Sequence, residues 1–205
     1  PGRLLFMIHH LAVDGISWRI LLEDLATAYE QISRGEAVKL PAKTTSFQYW
    51  SDRLTEYGQS EAIATELDYW LNKYNFKVTS LPVDYPLGKE ENTLASTATV
   101  SLSLSEEQTR TLLQDVPSAY NTQINDVLLT ALVQSFAQWT GERSLLVDLE
   151  GHGREDLFED VDLSRTVGWF TTLFPVCLQL EEVDHPGEAL KLVKEQLRCI
   201  PNRGI

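Results

Sequence analysis

Apolar residues recur every three or four positions between Ile16 and Ile32, and this spacing defines the clearest element of the chain. Such a pattern forms one apolar face of an α-helix, and Gly35 predicts where that helix ends. The short apolar run at residues 3–8 predicts a buried strand just before it. Strand-like and helical patterns alternate along the rest of the chain, so the sequence predicts an α/β architecture of layered sheet and helices.

Capping and turn residues predict where the other elements begin. Ser46 and Ser60 are typical helix N-caps. Ser105 and Gln108 form a possible capping box, and Pro186 suits a first helical turn. The predicted helices run from residue 47 to a break at Gly58, from 61 through Tyr74, and over 105–113, 125–139 and 186–197; the predicted strands are 97–104, 145–149 and 170–180, the last with an edge or bulge at Pro175.

The composition excludes several classes of function. With 17 Lys and Arg against 30 Asp and Glu, the net charge is −13. This charge, without any basic block, excludes nucleic-acid binding and docking on anionic lipid. No apolar run approaches about 20 residues, so we expect no membrane span. The first residues lack the cleavage site of a signal peptide, while an apolar fraction of 43% is enough for a buried core.

Cysteine usage points to a reducing compartment. Cys177 and Cys199 are the two cysteines of the sequence, and their spacing fits neither a metal site nor a disulfide framework. We therefore expect a cytoplasmic protein without a bound metal. The chain has no starting Met and ends on Gly204-Ile205, so we interpret it as an internal piece of a longer protein.

The first candidate site is the sequence HHLAVDG at residues 9–15, between the apolar run and the helix. Reactive groups of open α/β folds collect where strands end and loops begin. A histidine exchanges protons near neutral pH, and only one of His9 and His10 can face a given cleft from an extended stretch. Asp14 can orient that ring or pair with an arginine, and Gly15 provides a backbone geometry closed to other residues. For an isolated HxxxDG pattern, a structural histidine is the alternative.

Two further motifs follow short predicted strands. In EGHGRE at residues 150–155, two glycines let the backbone approach a ligand closely, and a carboxylate at a strand end can act as a base. A charged turn is the alternative interpretation. In residues 162–172, Gly168 next to two aromatic side chains predicts a tight loop entering a strand, and for Trp169 and Phe170 we favour a packing corner.

In this order and at this separation, the motifs resemble those of epimerization domains of nonribosomal peptide synthetases. These domains belong to the condensation-domain superfamily, whose fold resembles chloramphenicol acetyltransferase. HHLAVDG matches the HHxxxDG motif of the superfamily, whereas EGHGRE and the RTVGWFT of residues 165–171 are typical of the epimerization form. The NDVLL of residues 125–129 and the PNRG of residues 201–204 match further family motifs. The resemblance spans the chain, but the family's later Asn-Tyr pair is missing, which implies an internal fragment.

The resemblance implies a two-lobed domain that is incomplete at both ends. Residues 1–80 would be part of the N-terminal lobe, 81–96 the linker, and 97–205 part of the C-terminal lobe. In such domains the active site lies at the bottom of a channel between the lobes.

The resemblance also implies a role for each motif residue. His10 and Glu150 would flank the Cα of an aminoacyl or peptidyl thioester as an acid/base pair that converts L to D. Asp14 would form a structural salt bridge with Arg154. His9 would pack or hydrogen-bond inward and hold the loop, which Gly15 would also support. The possible channel-lining residues are Trp18, His152, Trp169 and Thr171, and for His152 we favour a structural role.

No cofactor bound directly to this domain is implied. The substrate would arrive on the 4′-phosphopantetheine arm of a peptidyl carrier domain upstream in the same polypeptide, with a condensation domain downstream. The alternatives are a condensation domain that forms a peptide bond with the same His10, a dual condensation/epimerization domain, and a stand-alone acyltransferase. From another class, a non-catalytic carrier-docking module would need neither His10 nor Glu150.

Overall fold

The computed structural model describes residues 2–73, 80–84 and 93–205. They fall into two compact units. Unit 1 comprises Pro1–Asn72, Leu149–Phe174 and Gly204–Ile205, and unit 2 comprises Lys73–Asp148 and Pro175–Arg203. The mixture of helices and strands agrees with the predicted α/β class. The expected division into lobes at residues 1–80 and 97–205 stays a prediction, and part of the expected linker, 85–92, lies outside the described residues.

Unit 1 begins with a short 3-10 turn and three helices. The turn His10–Ala12 leads into α1, and Asp14 caps that helix by accepting a hydrogen bond from the Ser17 N–H at 2.7 Å. Ser46 caps the second helix through the Tyr49 N–H, as predicted. The helices are α1 (Gly15–Ser33), α2 (Phe47–Gly58) and α3 (Glu61–Lys73); the predicted extension of α3 to Tyr74 lies outside the described residues.

The helices of unit 2 begin within one residue of their predicted starts. The Ser105–Gln108 capping box is present and starts a helical stretch that continues to Tyr120, beyond the predicted end at Leu113. His185 caps the last helix, with Pro186 in its first turn. The elements are α4 (Glu106–Arg110), a π-helical turn (Thr111–Asp115), α5 (Val116–Tyr120), α6 (Ile124–Thr140) and α7 (Pro186–Arg198).

Two strands form the sheet of the described residues, β1 (Ser144–Gly151) and β2 (Thr172–Gln179). The Leu180 N–H donates to the Arg143 carbonyl at one end, and Gly151 lies against Thr172 at the other, so the pair is antiparallel. Both strands were predicted, with bounds that differ by one or two residues. Leu178 and Val193 are fully buried in unit 2, on β2 and α7.

Two predicted strands are wrong. Residues 3–8 and 97–104 form neither helix nor strand, and their side chains are exposed. An apolar run becomes a strand only when a neighbouring strand completes its backbone hydrogen bonds. In the described part of the chain, the sheet pairs only β1 with β2.

The core of unit 1 holds the loop between β1 and β2. Trp50 of α2 packs against Leu163 and Phe170, all three less than 10% exposed. Phe47 adds an edge-to-face contact with Phe170 at 5.1 Å between ring centroids. Burial of aromatic side chains from α2 therefore fixes the position of the loop that carries the second and third motifs.

Gly153 brings the second motif against the third. Its φ of +66° is left-handed, and a Cβ there would lie 1.6 Å from the Phe170 carbonyl oxygen. At Gly151 a Cβ would lie 2.6 Å from Thr172 Oγ1. The two glycines of EGHGRE thus permit close packing of backbone on the neighbouring segment, whereas the sequence predicted close approach to a ligand.

We expect Gly153→Ala to destabilise unit 1 strongly. The left-handed φ costs about 1–3 kcal/mol for a residue with a Cβ, and the clash with Phe170 adds to it. Hydrogen exchange of peptides from residues 149–174, measured by mass spectrometry, should become markedly faster. Gly58→Ala is the matched control, because a Cβ at the end of α2 meets nothing within 4 Å. Equal exchange in both variants would contradict this role of Gly153.

Candidate active site

The HHLAVDG loop turns immediately before α1. The His9 side chain accepts a hydrogen bond from the Leu11 N–H at 3.1 Å and so caps the 3-10 turn. We predicted that His9 would pack or hydrogen-bond inward. Its hydrogen bond holds the loop, but the side chain is exposed, so the inward orientation is wrong.

His10 differs from the other three histidines of the chain. His9, His152 and His185 each use Nδ1 to accept the backbone N–H two residues later, at 3.1, 3.0 and 3.2 Å. Within the described residues no hydrogen bond engages the ring of His10. That exposed ring instead meets Trp169 in an edge-to-face contact, with 6.1 Å between centroids. Both ring nitrogens of His10 are therefore available to a ligand.

A buried ion pair joins the first motif to the second. Arg154 Nη2 lies 3.0 Å from Asp14 Oδ1, and the side chains of Arg154 and Asp14 are 7% and 8% exposed. Arg154 Nε also donates to Asp14 Oδ2 at 3.3 Å. The predicted salt bridge between these residues is confirmed.

Arg154 also binds the third motif. Its Nη1 donates to the carbonyl oxygens of Leu163 and Thr166 at 3.0 and 2.8 Å. Its guanidinium lies over the Phe170 ring, 3.8 Å from the centroid. The planar guanidinium of Arg154 donates several hydrogen bonds in its own plane while its face stacks on the aromatic ring. The ammonium group of a lysine cannot do both.

The pKa of the Asp14 carboxyl is lowered from its usual value. Burial acts in the opposite direction and raises it, but hydrogen bonds from Ser17 and Arg154, together with the Arg154 charge, outweigh burial. Asp14 is therefore a carboxylate that holds structure, with its oxygens occupied by α1 and by Arg154.

Ser17 was missed as a site residue. It is fully buried, and its hydroxyl exchanges hydrogen bonds with both backbone groups of Gly168. The Asp14 N–H donates to the same Gly168 carbonyl at 3.0 Å. No local pattern marks it, because the partners of its hydroxyl, Gly168 and Arg154, are far away in the sequence.

A second ion pair also escaped the sequence analysis. Arg165, in the third motif, bonds to Asp24 of α1 and lies 3.7 Å from Glu23. Thr166 is buried and donates its hydroxyl to the Thr45 carbonyl at 2.6 Å. These contacts hold the RTVGWFT segment against α1 and the start of α2.

Glu150 stands near the end of β1 with an exposed side chain. It belongs to unit 1, as does His10. Within the described residues no hydrogen bond connects the two side chains, so their joint role is a prediction. Phe170 is the packing residue that was predicted, whereas Trp169 is 41% exposed beside His10 and is not part of the core.

The remaining predicted residues take different positions. His152 is exposed, and its Nε2 lies 3.2 Å from Glu155, which fits the structural role that we favoured. Trp18 lines an apolar cavity of about 320 Å³ with residues of α1 and the segment before it. Thr171 is half-buried. The conformational argument for Gly15 is wrong, because this residue starts α1 with an ordinary φ and room for a Cβ.

The described residues contain neither a candidate metal site nor a membrane-spanning helix. No group of three or more His, Cys, Asp or Glu side chains there could hold a metal ion. No helix in the same part of the chain combines the length and apolar character needed to cross a membrane.

Comparisons with known proteins give the same family along the whole chain. Residues 2–205 match the sequence profile of the family described as "Condensation domain". A linear gramicidin synthase from Brevibacillus parabrevis is 56% identical over 205 residues, which are 100% of this chain and 4% of that protein. The chain therefore spans a small part of the curated relatives that it matches.

Solved structures give the same fold. The epimerization domain from the third module of tyrocidine synthetase B superposes with a TM-score of 0.88 at 41% identity, covering 97% of this chain and 45% of that one. The first condensation domain of the calcium-dependent antibiotic synthetase gives a TM-score of 0.66 at 22% identity, over 93% and 41% of the two chains. The fold is thus that of condensation and epimerization domains, the chloramphenicol acetyltransferase-like fold predicted from the motifs.

We expect Asp14→Ala to fail by misfolding. Removing one partner of a buried ion pair leaves Arg154 charged and unpaired, at a cost of about 3–5 kcal/mol. Urea unfolding of the purified variant should show this loss, and the soluble yield should fall. Asp160→Ala is the control, because it breaks the exposed Arg53–Asp160 pair and should change stability far less. A soluble, stable Asp14→Ala protein without activity would contradict the structural role.

The ion pair should also make unit 1 sensitive to acid. Because the folded-state pKa of Asp14 is lowered, its contribution is present above the unfolded value of about 3.9 and is lost as the pH falls through the folded value. The free energy of unfolding of Asp14→Asn should therefore vary less than that of the unsubstituted protein between about pH 5 and pH 2. Urea titrations across this range test the difference, with the exposed Asp156→Asn as control. Parallel pH profiles for all three proteins would refute it.

Proposed function

The chain belongs to the condensation-domain family, and on this premise we propose that it epimerizes the Cα of an aminoacyl or peptidyl thioester. The thioester would be carried on the 4′-phosphopantetheine arm of a carrier domain during nonribosomal peptide synthesis, and the product would be the D configuration. This chain would form part of the catalytic domain of a multidomain synthetase.

Two comparisons favour epimerization over peptide-bond formation. Identity with the solved epimerization domain is 41%, against 22% with the condensation domain. The EGHGRE and RTVGWFT sequences are also of the epimerization form. EGHGRE contains Glu150, which would be a second proton-transfer group that peptide-bond formation at His10 does not require.

The state of His10 is the observation that carries the proposal. A thioester carbonyl acidifies the adjacent Cα–H, so inversion needs one group to remove the proton and another to return one on the opposite face. In the described part of the chain, His10 is the histidine whose two ring nitrogens have no protein partner. An imidazole with both nitrogens open to a substrate suits general acid/base transfer.

Glu150 is proposed as the second group. Its carboxylate is exposed near the end of β1, a strand that is hydrogen-bonded to β2. Gly151 follows it and packs against Thr172. Backbone fixed in this way would hold the carboxylate in place, which a proton transfer over a fixed distance requires.

The partners are proposed from the size of the relatives. This chain matches 4% of the linear gramicidin synthase, so most of that protein consists of other segments. We propose that a peptidyl carrier domain upstream in the same polypeptide delivers the substrate and that a condensation domain downstream receives the product. No cofactor resident in this chain is part of the proposal.

Solvent deuterium tests the reaction. With an L-aminoacyl group loaded on the carrier domain of the full-length polypeptide, deuterium should enter Cα and the D isomer should accumulate. His10→Ala and Glu150→Gln should each slow this exchange by about 10²–10⁴-fold, the usual contribution of a general acid or base. The measurement is mass spectrometry of the hydrolysed amino acid together with chiral chromatography.

Matched variants control for indirect effects. His185→Asn keeps a helix cap on α7, and Glu159→Gln changes an exposed carboxylate of unit 1, so both should exchange at the unsubstituted rate. Peptide-bond formation without deuterium uptake would favour a condensation domain. Tight carrier binding with neither reaction would favour a docking module and overturn the proposal.

A further inference from the structure

We infer that Ser17 is a positioning residue for His10, acting through Gly168 and Trp169. This inference rests on the proposed function only in giving His10 a catalytic task. The buried hydroxyl of Ser17 connects all three motifs, and its geometry predicts an effect on the imidazole that it does not touch.

The Ser17 hydroxyl makes three hydrogen bonds. It donates to the Gly168 carbonyl at 2.9 Å and accepts from the Gly168 N–H at 3.0 Å. It also accepts from Arg154 Nη2 at 3.1 Å. A hydroxyl has one donor and two acceptor lone pairs, so the bonding capacity of Ser17 is filled.

The position of Ser17 is itself fixed by the first motif. Its backbone N–H donates to Asp14 Oδ1, and its side chain is fully buried. The Asp14 N–H completes the arrangement by donating to the Gly168 carbonyl. Three hydrogen bonds from Asp14 and Ser17, at the start of α1, therefore hold the backbone of Gly168.

These hydrogen bonds to Gly168 fix the position of the next residue, Trp169. Gly168 is packed against the Phe47 ring with no room for a side chain, since a Cβ there would lie 2.2 Å from that ring, and Phe170 further along is in the core. Trp169 lies between these two residues, and its ring packs edge-to-face with the His10 ring, with 6.1 Å between the centroids. The Ser17 hydroxyl thus helps to fix the Trp169 ring, and this ring packs against the His10 imidazole.

Three substitutions at Ser17 separate hydrogen bonding from volume. Ser17→Ala removes the hydroxyl, Ser17→Cys fills the space with a weakly bonding thiol, and Ser17→Thr keeps the hydroxyl. Ser33→Ala is the control, since Ser33 on the same helix bonds only to the Tyr29 carbonyl at an exposed position. All variants are made in the full-length polypeptide.

The first readout is independent of the reaction. Diethyl pyrocarbonate modifies neutral imidazoles, and peptide mass spectrometry measures its rate at each of the four histidines. In Ser17→Ala and Ser17→Cys, the rate at His10 relative to His185 should rise about twofold, because loss of a buried hydrogen-bond partner loosens the Trp169 segment and uncovers the part of the His10 ring that Trp169 contacts. Ser17→Thr and Ser33→Ala should keep the original ratio.

The second readout is catalytic. Ser17→Ala and Ser17→Cys should lower kcat for Cα deuterium exchange by about 10–100-fold, while KM for the loaded carrier domain changes little. Misplacement of a proton-transfer group reduces the chemical step, whereas general unfolding would reduce the concentration of active protein and raise the modification rates of all the histidines together.

Trp169→Leu gives an independent test that leaves the hydroxyl in place. It removes the ring that transmits the effect, so the modification rate at His10 should rise by a similar factor in a folded protein. An unchanged His10 ratio in Ser17→Ala, Ser17→Cys or Trp169→Leu overturns the inference, as does a uniform rise at all four histidines. If the unsubstituted polypeptide shows no deuterium exchange, the proposed function fails, and the modification ratios still decide the role of Ser17.

Discussion

The ion pair between Asp14 and Arg154 is the interaction on which the rest of unit 1 depends. It joins residues 140 positions apart, in a place where neither side chain has much access to water. Charges buried in this way stay only if their hydrogen bonds are complete. Asp14 accepts from α1 as well as from Arg154, and Arg154 also donates to two carbonyls of the third motif. One ion pair therefore organises three loops.

Much of the helical structure could be predicted, because its signals are local. Asp14, Ser46 and His185 satisfy N–H groups within three residues, and the Ser105–Gln108 capping box does the same. Such contacts depend on the near sequence and not on the tertiary fold. The ion pair of Asp14 has no local signal, and its partner Arg154 was predicted through the family resemblance alone.

The features that could not be predicted depend on distant partners. The hydroxyl of Ser17 looks like any helix-start serine until Gly168 and Arg154 are beside it. Gly15 and Gly153 were both expected to need the conformational freedom of glycine. Of the two, Gly153 has a left-handed φ and lies against the Phe170 carbonyl, whereas Gly15 has neither feature. The alternation of apolar and polar residues at 97–104 is typical of a strand. Such a pattern gives only a preference, because a strand forms when a neighbouring strand completes its backbone hydrogen bonds.

The exposed segment at residues 97–104 also bears on self-association of the protein. Val100 and Leu102 are 90% and 94% exposed in a segment whose alternation suits pairing with a strand from another molecule. Two such chains repel each other before they touch, because each carries a net charge of −13, and this repulsion opposes the pairing. Ions at physiological strength screen that repulsion beyond about 8 Å. The acidic composition thus acts as a salt-dependent barrier to self-association, and added salt lowers it.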